Sequence, residues 1–109
     1  MPPAHSMTEE KQSATITIIN PQGLHMRPAY LFAEMASRFS SRIEVVKDDM
    51  RIDGKSVLSI LTLGATQGTQ VAVEAFGPDA RAAVAQLVQL VTSGFPDESG
   101  KTEAEASHF

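Results

Sequence analysis

The residues best equipped for chemistry are Gly23-Leu24-His25-Met26-Arg27-Pro28-Ala29. An imidazole and a guanidinium stand two residues apart, where a loop turns into a helix. Gly23 permits a tight backbone path, and Pro28 suits a first helical turn, where its missing N–H removes no intrahelical bond. His25 is therefore expected at or just before the helix N-terminus, with Arg27 inside the first turn. The first N–H groups of a helix have no intrahelical partner and carry partial positive charge. That charge disfavours an imidazolium and leaves a neutral, nucleophilic ring. If such a ring took up a phosphoryl group, the new oxygens would meet free amides and the Arg27 guanidinium. The same donors would stabilise the group in transfer. A histidine at a helix start can equally be a plain cap, and position alone leaves that alternative open.

No second catalytic group stands near His25 in sequence. His5 and His108 fall in the terminal stretches and are expected to be solvated bystanders, so no metal site is expected. With no cysteine, thiolate ligands, disulfides and cysteine nucleophiles are excluded. No cofactor is expected either.

The elements that must position His25 follow from periodicity. Thr15-Ile16-Thr17-Ile18-Ile19 alternates and stops at Asn20-Pro21-Gln22-Gly23, a strand and its loop. From Met26 the period changes: Ala29, Phe32, Ala33, Ala36 and Phe39 line one face of a helix about four turns long. Arg42 to Lys47 alternates again, and Asp48-Asp49 turns the chain into a short Met50-Arg51-Ile52 strand, a hairpin. Ser56 is the expected N-cap of a short helix that closes near Gly64. Thr69 to Phe76 reads as a strand. After Gly77-Pro78-Asp79, a last helix carries the apolar stripe Ala80, Ala83, Val84, Leu87 and Val91 and ends at Gly94. The order β-α-β-β-α-β-α predicts an α+β domain. We expect a two-layer open-faced sandwich, a four-stranded, mainly antiparallel sheet with three helices on one face.

At 109 residues, 42% apolar and 20% charged, the chain has the size and composition of one globular domain. Residues 14–94 hold nearly every large apolar side chain; residues 1–13 and 95–109 read as flexible tails. Nine basic against thirteen acidic residues, a formal charge of −4, argue against a nucleic-acid-coating protein. No apolar run approaches the roughly 18 residues of a membrane span, and the opening residues do not read as a signal peptide. A cytoplasmic monomer is the expectation.

The Gly23–Ala29 stretch resembles the active-site signature of the HPr family, the histidine phosphocarriers of bacterial phosphoenolpyruvate-dependent phosphotransferase systems. A second block, Asp53-Gly54-Lys55-Ser56-Val57-Leu58-Ser59-Ile60-Leu61-Thr62-Leu63-Gly64, is similar to the family's Lys-Ser-hydrophobic segment. The resemblance covers residues 14 to 94. It implies that His25 accepts a phosphoryl group through Nδ1 from Enzyme I and passes it to an Enzyme IIA-type acceptor, with Arg27 beside it. Such a carrier is a substrate of one partner and a donor to the next, so the name of enzyme is partly convention. Sugar uptake and a nitrogen-related phosphorelay use the same chemistry. The resemblance further implies that Ser56 is a target of an HPr kinase/phosphorylase. Met26 stands where the family commonly has a small residue.

Ser56 has two readings, a plain N-cap and a regulatory site where a phosphate would add about −1.5 to −2 charge. Val57, Leu58 and Leu61 cannot all face inward on two turns, so an apolar docking surface including Met26 is expected near His25. Leu61 has the stronger claim to the core. Arg51 and Lys55 are expected as positive rim contacts, or else as solvated charges.

Overall fold

The computed structural model describes residues 11–96. It contains β1 (Lys11–Thr17), α1 (Met26–Ala36), β2 (Arg42–Lys47), β3 (Met50–Asp53), α2 (Val57–Thr62), β4 (Gln70–Phe76) and α3 (Ala80–Thr92), in the expected order. The strands form one sheet in the spatial order β1-β4-β2-β3, and each of its pairings is antiparallel. The fold is the expected two-layer α+β sandwich.

Alternation decides which face of the sheet is covered. Ile16, Ile43, Val45, Val71, Val73 and Ala75 point inward and are buried, while their strand neighbours form the open face. On the inner face, α3 packs over β1 and β4, and α1 packs against both α2 and α3. The stripe on α3 is buried as expected, and α1 buries Pro28, Ala29, Phe32, Ala33 and Ala36. Alanine on these faces lets the helices approach closely, while Phe32 and Leu87 fill the space beneath. Burying each such large side chain contributes about 1.5–3 kcal/mol.

The fold takes in residues on both sides of the expected 14–94 span. β1 begins at Lys11, because Lys11 and Gln12 pair with Phe76 and Ala75 in the same ladder. It ends at Thr17 instead of Ile19, although Ile18 stays fully buried and exchanges bonds with Thr69 and Gly68. At the other end Phe95, expected in a tail, is 0% exposed. Gly94 takes a positive φ of 80°, its N–H donates to the Val91 carbonyl, and the Phe95 N–H donates to the Leu90 carbonyl. This is a Schellman turn, which folds the residue after the glycine back onto the helix. The remaining expected tail residues, His5 and His108 among them, lie outside the described residues.

Helix α1 ends at Ala36, one turn before Phe39, which is half-buried beside the core. The Asp79 carboxylate holds the turn that follows. It accepts the Ser40 and Ser41 N–H groups, each at 2.9 Å, and both hydroxyls. The Ser41 hydroxyl foremost, then the Ser40 amide, hold the Asp79 carboxyl down at about 2. Ser40-Ser41, three residues past the C-cap Ser37, is therefore held by a partner 38 or 39 residues away and does not itself end α1.

Candidate functional site

The loop from Asn20 to His25 is fastened at three points. The Gly23 N–H donates to the Asn20 carbonyl at 2.9 Å, closing the turn. The Leu24 N–H donates to the Ala65 carbonyl at 2.9 Å, which ties the loop to the segment following α2. The buried Asn20 side chain reaches the Gly94 carbonyl through Nδ2 at 3.4 Å. Gly23 is required here twice over. Its φ is +71°, and a Cβ would run into the Ala65 carbonyl oxygen and lie 2.9 Å from the Thr66 Cα.

His25 is the N-cap residue of α1, with extended backbone (φ −83°, ψ −167°), and its carbonyl accepts the Ala29 N–H at 3.0 Å. Its imidazole makes no capping bond to the helix and is half-buried. The plain-cap alternative therefore describes its backbone but not its side chain. Met26 and Arg27 supply the first helical N–H groups, and Pro28 fills the third position without one. Arg27 is half-buried on the same turn and makes no ion pair among the described residues. A helix start and a guanidinium can together hold an anion beside the His25 ring.

The apolar surface expected around His25 divides. Met26 is 59% and Leu58 73% exposed, whereas Val57 and Leu61 are half-buried against the core and Ile60 anchors α2 inside it. Sequence reasoning missed Tyr30, which is 52% exposed one turn after Met26. The signal was available, since Tyr30 lies off the buried stripe of α1 and four residues from Met26. Tyr30 and Val57 line one shallow groove between α1 and the start of α2, together with Glu34 and Lys55.

The two expected rim cations have other partners. Arg51 lies on the open face of the sheet, away from the helix layer. Its Nη1 donates at 2.6 Å to Glu44 on β2 and at 2.6 Å to Glu74 on β4. Those two carboxylates face each other across the β2–β4 ladder, and Arg51 bridges them. The hydrogen bond to Glu74, then that to Glu44, raises the Arg51 guanidinium further above its ordinary value. Lys55 donates from Nζ to the Phe39 carbonyl at 2.8 Å, just past the end of α1. Ser56 is the N-cap of α2, as expected, and its hydroxyl accepts the Ser59 N–H at 3.2 Å.

Among the described residues, no helix is long and apolar enough to cross a membrane. The sequence pattern of the family described as "PTS HPr component phosphorylation site" matches residues 12–93. A phosphocarrier protein HPr of Neisseria meningitidis is 40% identical over 85 residues, covering 78% of this chain and 93% of its own. One of Treponema pallidum is 34% identical over 84 residues, covering 77% and 96%. Among solved structures, HPr-C-His from Thermoanaerobacter tengcongensis aligns with a TM-score of 0.76 at 45% identity, covering 80% of this chain and 98% of that one. Similarity along almost the whole length of these relatives, on the same fold, shows that the chain belongs to the HPr family of phosphotransferase-system phosphocarriers.

Proposed function

We propose that His25 is the residue that carries the phosphoryl group, receiving it from phospho-Enzyme I and passing it to an Enzyme IIA-type acceptor. The observation that carries this reading is the half-buried imidazole placed at the α1 N-terminus without capping it. The Nδ1 lone pair attacks phosphorus, a P–N bond forms, and the bond to the donor breaks with its electron pair leaving on the donor. Nε2 keeps the ring proton. The Met26 and Arg27 amides and the Arg27 guanidinium meet the three phosphoryl oxygens, in the transition state and afterwards. Their moderate number suits a group that must leave again. Exposed Met26, Tyr30 and Leu58 form the docking surface for both partners. The reading covers sugar uptake and a nitrogen-related relay alike.

The test is incubation with phosphoenolpyruvate and Enzyme I. An acid-labile phosphate appears on the protein and is lost in His25→Ala; undiminished labelling of that variant refutes the assignment.

A second reading is favoured by Ser56, whose hydroxyl sits at the start of α2 two residues before exposed Leu58. A phosphate there is tolerated at the helix start, yet adds about −1.5 to −2 charge beside the docking surface. ATP and an HPr kinase/phosphorylase then produce an acid-stable phosphate that is absent in Ser56→Ala. No label on the unaltered chain counts against regulation at this residue.

A further inference from the structure

Helix α1 carries two charged side chains, of opposite sign. Arg27 lies in its first turn and Glu34 two turns later, on one side of the helix with Tyr30 between them. Helix α2, which packs alongside, carries no charged side chain. Glu34 is therefore the single carboxylate on the two helices that expose Met26, Tyr30 and Leu58. Other carboxylates of the fold are matched: Glu44 and Glu74 share Arg51, and Asp79 is held by Ser40 and Ser41. Glu34 is exposed and makes no ion pair among the described residues. The Tyr30 hydroxyl donates to its Oε2 at 3.4 Å, a long bond from a neutral donor that leaves most of the negative charge uncompensated.

This carboxylate lines a groove of about 300 Å³, with Tyr30, Ala33, Glu34 and Ser37 on one side and Lys55 and Val57 on the other. Lys55 does not neutralise Glu34, because its Nζ is turned to the Phe39 carbonyl at 2.8 Å. What remains open is a slot with an aromatic ring on one wall, an aliphatic side chain on the other and a carboxylate beside them. A long basic side chain fits that lining. Its methylene stem covers apolar surface, while its cation meets an aromatic ring and a carboxylate. The groove also lies under any protein that docks at His25. At 1.5 Å per residue, Tyr30 is about 8 Å and Glu34 about 14 Å along the helix from His25. An interface of about 800 Å² on each partner has a radius of roughly 16 Å, so one centred on His25 takes in Glu34.

We propose that this groove receives a lysine or arginine side chain of the protein that docks over His25, its cation on Glu34 and its stem between Tyr30 and Val57. Arg27 and Glu34 then give the docking axis opposite charges at its two ends. One orientation of the partner pairs unlike charges, and the reversed one sets like charges together. The identity of that protein as Enzyme I rests on the proposed role of His25; the preference of the groove for a cation does not.

Calorimetric titration with Enzyme I in a His25→Ala background measures docking where no phosphoryl group moves. At low ionic strength, adding Glu34→Gln is expected to weaken binding by about three- to tenfold, and Glu34→Lys by more. Both changes fall on an exposed helical position and leave the fold intact. The difference closes as salt shortens the screening length from about 30 Å at 0.01 M to about 3 Å at 1 M. Equal affinities at low salt overturn the proposal, as does tighter binding by Glu34→Lys, which identifies an acidic partner face. An Enzyme I variant with one Lys or Arg changed to Glu is expected to restore binding to Glu34→Lys; if no basic position does so, the pairing is overturned. Phosphoryl uptake by the unaltered chain is read separately. Missing label with the affinity differences intact removes the phosphoryl-acceptor assignment and leaves the groove, whereas label with equal affinities removes the groove alone. An Enzyme I that binds none of these proteins overturns both.

Discussion

Replacing Gly23 by alanine separates two costs that a left-handed glycine conceals. Gly23 and Gly64 have similar φ values, +71° and +60°. A Cβ in that region costs about 1–2 kcal/mol, offset by roughly 0.4–1 kcal/mol because alanine restricts the unfolded chain. Gly64→Ala pays little beyond this, since a Cβ there meets nothing within 4 Å. Gly23→Ala drives a methyl group into the Ala65 carbonyl and the Thr66 Cα, main-chain atoms that cannot rotate aside. The loop must move away, and the bond from the Leu24 N–H to the Ala65 carbonyl is lost. Leaving such a buried pair unmatched costs a further ~1–3 kcal/mol. The expected totals are about 1 kcal/mol for Gly64→Ala and about 2–5 kcal/mol for Gly23→Ala. With a urea slope of about 2 kcal/mol per molar, the second variant unfolds at a midpoint lower by roughly 1–2.5 M. Urea unfolding followed by circular dichroism measures both, and hydrogen exchange at the Leu24 amide reports whether the loop has come away. Equal midpoint shifts, or a Leu24 amide as protected as before, would refute the steric argument. Because His25 follows two residues later, Gly23→Ala also slows phosphoryl uptake under conditions where it remains folded.

Four further outcomes follow from the same structure. Phe95→Ala empties a site that is 0% exposed and is expected to cost about 3–5 kcal/mol in urea unfolding, where a tail residue would cost nothing. Asp79→Asn destabilises the protein at neutral pH, because the carboxylate is held ionised by Ser41 and Ser40. Its carboxyl is lowered from 3.8 to about 2, so its contribution is fully present above 3.8 and disappears as pH falls toward 2. The gap in thermal midpoint between variant and parent therefore closes across that window; a constant gap contradicts the assignment. Arg51→Ala leaves Glu44 and Glu74 facing each other and lowers the thermal midpoint, most at low salt, while phosphoryl uptake is unchanged. Leu58→Glu changes a residue 73% exposed and so leaves stability nearly intact, but it weakens docking and slows uptake in the Enzyme I assay.

Much of the site was legible because it is local. Gly23, His25 and Pro28 lie within six residues, and glycine-permitted turns, N-caps and first-turn prolines are rules of the same span. Ser56 was placed as an N-cap for the same reason, and the structure adds only its bond to Ser59. Phe95 was not placed because the expected boundary stopped at Gly94. A glycine followed by a large apolar residue after an apolar stripe is the signature of a Schellman turn, and it was there to be read. Tyr30 lies off the buried stripe of α1, where the helical period specifies only exposure and not which neighbours the side chain joins.

Arg51 marks the boundary between the two kinds of information. Alternation along β3 decides that its side chain points away from Ile52, but not which strands lie beside it. The order β1-β4-β2-β3 brings Glu44, seven residues back in sequence, and Glu74, 23 residues on, to one guanidinium. Likewise Asp79 meets Ser41 across 38 residues, and Gly23 meets Ala65 only after α2 has packed against α1. Sequence alone determined the succession of elements, the faces they bury and the histidine at a helix start, since these depend on a residue and its near neighbours. Tertiary structure decided which charges are matched, that Phe95 beyond the last helix is buried, and what clamps the loop. Those outcomes depend on contacts between segments far apart in the chain, and no local period encodes them.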